Sequence, residues 1–129
     1  MSLKRIRLTL ARDPEAPAGN DHCGYQFVAP IGEDGHIDVE AWREHRAECS
    51  VRRFWQGEAD EHGHLIHTRG RTWAFHYDID GDGEDDEPGY KFDSHVFKPG
   101  EYVSIREHDG RLRTFKVAAV EAWSASRRS

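Results

Sequence analysis

The chain opens on a strict alternation. Ile6, Leu8 and Leu10 are apolar, and Arg5, Arg7 and Thr9 between them are polar. A period of two puts the two sets on opposite faces of an extended segment, which predicts a β-strand with one buried side. Asp13 to Asp21 breaks the pattern with two prolines, a glycine and an asparagine, and reads as a loop. Tyr25 to Ala29 predicts a short second strand, and Gly32 to Gly35 a turn. A helix is expected over Glu40 to Cys49, with Asp38 as its N-cap and Val39, Trp42 and Ala47 on its buried face.

From there the pattern is β. Val51 to Gln56 mixes β-branched and aromatic residues. Leu65–Thr68 and Arg71–Asp78 flank Arg69-Gly70 and predict a hairpin. A two-residue turn there sets Ile66 opposite Trp73 and His64 opposite Phe75. Glu101–Glu107 and Leu112–Val120 flank Asp109-Gly110 in the same way, but a two-residue turn would oppose Val103 to Lys116. A three-residue turn or a bulge at Gly110 pairs Ile105 with Phe115 and Val103 with Val117 instead. Together these predict a mainly β fold: a small antiparallel barrel or sandwich of about seven strands with one short helix over an opening. Residues 1–123 are expected to form a single domain, with 124–129 a frayed polar tail.

Composition changes this picture little. The 129 residues suit one domain, and 14 aromatics supply a core despite 33% charged residues. No apolar run approaches the roughly 20 residues of a membrane span, and Met1 to Leu10 alternates charged and apolar residues without the apolar stretch expected of a signal peptide. A cytoplasmic protein with no membrane and no nucleic-acid partner is expected, since no basic block is present. Cys23 and Cys49 are expected to be thiols there. The partner would be a small molecule or another protein.

Charge is unevenly placed. Seven of the ten residues from Asp78 to Glu87 are acidic, and removing them would leave a net charge of +1 in place of −6. Their carboxylates recur at every second position, and Gly81 and Gly83 let the chain curl. Calcium takes six to eight oxygens at about 2.3–2.6 Å, and such a loop offers several at once. The expected ligands are Asp78, Asp80 and Asp82, the Glu84 carbonyl, and Asp86 directly or through water. Asp78, Asp80, Asp82, Gly83 and Asp86 resemble the D-x-D-x-D-G-x-x-D loop of integrin-type β-propeller repeats, and more distantly the EF-hand and dockerin loops. The resemblance spans about ten residues, in a single copy, with Gly89 where an EF-hand carries its last glutamate. It implies a structural Ca2+ ion, completed by Glu87 or Asp93.

Other residues offer alternatives. His22, Cys23, His45 and Cys49 could supply two nitrogens and two sulfurs to a tetrahedral Zn2+. In a barrel, His64, Trp73, Phe75 and Tyr77 could line a ligand pocket. No nucleophile elbow, phosphate loop or H-E-x-x-H motif is present. The function expected is therefore non-enzymatic binding, with a structural calcium loop. The alternatives are a ligand-binding or enzymatic barrel with that pocket, and an assembly component that pairs through a strand edge or the acidic loop.

Overall fold

The computed structural model describes residues 2–12, 17–67, 73–77, 87–90, 96–107 and 111–123. Among them are eight strands, in keeping with the expectation of about seven, and one α-helix. The strands are β1 Ser2–Leu10, β2 Asn20–Ile31, β3 Ser50–Phe54, β4 Glu61–His67, β5 Trp73–Tyr77, β6 Glu87–Tyr90, β7 Tyr102–Arg106 and β8 Leu112–Ala122. Each is antiparallel to the next, and β8 returns to β1, so the sheet closes into a barrel. No helix among the described residues is long and apolar enough to cross a membrane.

Alternation carries the barrel. Ile6, Leu8 and Leu10 of β1 face inward as predicted, with Tyr25, Phe27 and Ala29 of β2 beside them. β2 is far longer than its apolar stretch, because its polar start still pairs with β1 across a bulge at Thr9 and Leu10. Gly24 sits at that bulge, where a Cβ would lie 1.9 Å from the Leu8 carbonyl oxygen. Only a residue without a side chain lets the two backbones approach so closely.

The interior is packed with aromatics. Tyr25 contacts Phe75 and Phe115 at ring-centroid distances of 5.1 Å, and Phe27 contacts Phe75 at 5.2 Å and Phe97 at 5.8 Å. Tilted and edge-on rings at such spacings add to the burial of their large apolar areas.

Both hairpin registers differ from expectation. In β4–β5, Leu65 pairs with Phe75, His64 with His76 and His67 with Trp73. The slip of one residue exchanges the faces of β4, so Leu65 enters the core and His64 leaves it. The burial of Leu65 decides this, since a charged or polar histidine is costly where leucine packs well. In β7–β8 the three-residue connection holds, with the Glu107 N–H donating to the Arg111 carbonyl. It is centred one position earlier than expected, which pairs Val103 with Phe115 and Ile105 with Arg113.

Helix α1, Val39–Glu44, is shorter than predicted. Asp38 caps it, its Oδ1 accepting from the Ala41 N–H at 2.9 Å. His45 leaves helical geometry at φ −125°, and a 3-10 turn over Arg46–Glu48 leads to the buried Cys49. Trp42 is buried, but Ala47 is exposed because the helix ends before reaching it.

Candidate functional site

The strands direct charged residues to one end of the barrel. The phase that buries Phe115 and Val117 of β8 also buries Arg113. The phase that buries Val51 of β3 buries Arg53, and Glu107 follows the buried Val103 and Ile105 of β7. All three charges point inward at the same mouth.

They pair with one another, although among the described residues the buried Arg113 Nε atom has no hydrogen-bond partner. Arg113 Nη1 donates to Glu107 Oε1, and Arg53 Nε to Glu107 Oε2 at 3.2 Å. The Tyr25 hydroxyl donates to Glu107 Oε2 at 2.5 Å. Arg53 Nη1 also meets Glu58 at 3.3 Å and Glu61 at 3.6 Å. Both guanidiniums lie over the Trp55 ring, 4.2 and 5.5 Å from its centroid. Burial by itself would lower the Arg53 pKa, but the Tyr25 oxygen and the Glu107 carboxylate outweigh it and hold the guanidinium above its ordinary range. The Glu107 side chain is only 1% exposed. The network therefore ties β2, β3, β4, β7 and β8 together rather than opening a carboxylate to a substrate.

The opposite end is closed by apolar contacts. Trp42 of α1 meets Trp73 edge-on at 5.4 Å and donates from Nε1 to the Leu65 carbonyl at 3.0 Å. His67 stacks on Trp73 at 4.4 Å.

The residues singled out from sequence fall apart into separate places. Asp78, Asp80, Asp82, Glu84 and Asp86 lie outside the described residues, as does the side chain of Tyr77. Their segment joins β5 to β6, strands that pair directly through Phe75 and Glu87. Trp73 and Phe75 are core residues at 1% and 0% exposure, while His64 is half-buried on the outer face, so these do not form one pocket wall.

The zinc grouping does not come together either. His22 is exposed and Cys23 buried, on opposite faces of β2. His45 Nδ1 is 2.7 Å from Glu48 Oε1. Burial, and then the nearby Glu48 charge, push the Cys49 thiol up to about 12. Among the described residues, no group of three or more His, Cys, Asp and Glu is placed to hold a metal ion.

The charged mouth was the residue set that sequence reasoning missed. Its signal was present: Arg53, Glu107 and Arg113 each occupy the apolar phase of a strand, and their signs are complementary.

Comparison with protein-family models, curated proteins and solved structures finds no match to this chain. The geometry thus defines an architecture: a closed antiparallel barrel with aromatic rings packed in its interior, an apolar cap at one end and an ionic one at the other.

Proposed function

We propose that this protein is a non-enzymatic binding module that recognises its partner with its outer surface and loops. One observation carries the reading. Tyr25, Phe27, Phe75, Phe97 and Phe115 pack against one another through the barrel interior, where a ligand-binding barrel would keep its cavity. Trp42 and the Arg53–Glu107–Arg113 network occupy its two ends. Pairing through a strand edge has less to support it, since each described strand has a bonded neighbour on both sides.

In this reading the acidic segment is a calcium loop that supports the module. Asp78, Asp80, Asp82, the Glu84 carbonyl and Asp86 supply the oxygens, and a cation relieves repulsion among seven clustered acids. The direct pairing of β5 with β6 favours it, because that pairing holds the two ends of the segment close. The setting is cytoplasmic, and Cys23 and Cys49 are free thiols.

Calorimetry with CaCl2 tests the loop. The expected result is saturable binding that Asp80→Ala and Asp82→Ala abolish. Calcium at about 100 times its dissociation constant should stabilise the fold by about 2.7 kcal/mol, visible as a higher Tm than in chelator. A wild-type protein with no heat of binding and no Tm difference would end the calcium assignment.

A further inference from the structure

The outer face of the barrel carries a recess that the sequence did not announce. It has a volume of about 540 Å3 and lies where β1, β7 and β8 meet residues 17–19 and the start of β2. Thr9, Arg12, Asp21, Tyr102, Thr114 and Lys116 supply its polar and aromatic lining. A second recess of about 380 Å3 shares Thr9, Asp21 and Lys116 and adds Arg7. The larger volume falls within the roughly 300–1,000 Å3 of small-molecule sites.

Backbone geometry builds the wall. Gly19 has φ +81°, and a Cβ there would meet the Leu10 carbonyl oxygen at 2.7 Å. The chain can lie this tightly on β1 only because the residue is glycine. Thr9 is left 4% exposed although it lies between the inward-facing Leu8 and Leu10.

The lining has a definite chemistry. Among the described lining residues, Arg7, Arg12 and Lys116 stand against one carboxylate, Asp21, in a chain whose net charge is −6. Among the described residues, Arg5, Arg43, Arg52, Arg53 and Arg113 each face a carboxylate. Neither Arg12 nor Lys116 makes an ion pair among the described residues, and both are exposed. Tyr102 pairs with Lys116 across β7 and β8 and is 54% exposed, one of two large apolar side chains left so open among the described residues. A cation beside a bare aromatic ring, with hydroxyls at Thr9 and Thr114, suits a molecule that has both a ring and an anionic group.

We infer that this recess binds a small organic anion bearing a ring, either a phosphate monoester or a carboxylate. Its ring lies on Tyr102, and its charge is taken by Lys116 and Arg12. The inference rests on the surface-binding reading above and names the ligand class of that surface.

Amide chemical shifts of the full chain, followed during titration with four probes, test it. Phenyl phosphate and benzoate should shift the amides of Thr9, Gly19 and Lys116 saturably, and whichever binds tighter identifies the anionic group. Inorganic phosphate should bind at least tenfold more weakly, and benzyl alcohol should not bind. Lys116→Ala should weaken phenyl phosphate about tenfold and Tyr102→Ala about fivefold. Both side chains are exposed, so the variants should fold, and His22→Ala serves as a control that leaves affinity unchanged. Absence of saturable shifts at these amides, or equal affinity in Lys116→Ala, overturns the site. If calcium binding persists in that case, the recess assignment falls while the module reading stands. Release of inorganic phosphate from phenyl phosphate, lost in Lys116→Ala, would uphold the recess and overturn the non-enzymatic reading.

Discussion

The two ends of this barrel solve one problem with opposite chemistry. At one end Trp42 covers the opening through aromatic contact and a single hydrogen bond to the Leu65 carbonyl. At the other, Glu107 is surrounded by Arg53, Arg113 and the Tyr25 hydroxyl. An apolar plug loses stability in proportion to the atoms removed, so its failures are graded. A desolvated charge cluster holds only while every partner is present. The ionic end should therefore be the more brittle of the two.

Removing Glu107 is the most severe way to test this. Glu107→Ala leaves Arg53 and Arg113 buried against each other without their carboxylate, and should cost about 3–5 kcal/mol in urea unfolding. Replacing Arg53, Glu107 and Arg113 together by methionine or leucine should recover most of that loss, because no buried charge is then left unpaired. If the triple variant is no more stable than Glu107→Ala, the brittleness comes from lost packing and the contrast fails.

The apolar end should yield more gently. Trp42→Phe removes the indole N–H that serves the Leu65 carbonyl, together with part of the ring. A loss of about 1–2 kcal/mol is expected, with two-state unfolding retained. A cost above that for Glu107→Ala would reverse the ranking of the two ends.

The smallest effect concerns pH. Cys49 lies beside the apolar cap, and its thiol is pushed up to about 12 by burial and then by Glu48. The ordinary value is 9.0, so the unfolded chain releases this proton first. The contribution of Cys49 is complete below pH 9 and is lost as pH rises through 9 toward 12. Each pH unit above 9 should cost up to about 1.4 kcal/mol. Denaturation midpoints at pH 8 and pH 10, compared between wild type and Cys49→Ala, give the measure. An equal fall in both proteins would assign the alkaline sensitivity to other groups.

Much of the architecture could be read from alternation. The buried phase of β1, the Asp38 cap and the presence of both hairpins follow from local patterns that the structure keeps. Register did not, because it depends on which of two half-apolar faces wins the core. In β4, Leu65 against His64 decides that competition, and an assumed turn length pointed the wrong way. The ionic mouth was overlooked for a related reason. Arg53 and Arg113 look like solvent-facing residues until Glu107, distant from Arg53 in sequence, is seen to meet them. The recess at Tyr102 and Lys116 brings together four strands and residues 17–19, a juxtaposition no single segment reveals. The acidic segment was the plainest chemical signal in the sequence, and it lies outside the described residues.

Barrel closure also bears on how the chain reaches its fold. Seven of the eight strand pairings join consecutive strands, and the eighth brings Lys4 beside Ala122. That last seam spans nearly the whole chain, so its loop-closure entropy is the largest of any pairing. Non-local contacts of this kind slow folding. The other seven pairings are each local, and the β1–β8 pairing alone closes the ring. Since the seam sets Lys4 beside Ala122, a short tether between β8 and β1 would turn the most distant pairing into a local one without altering a core side chain.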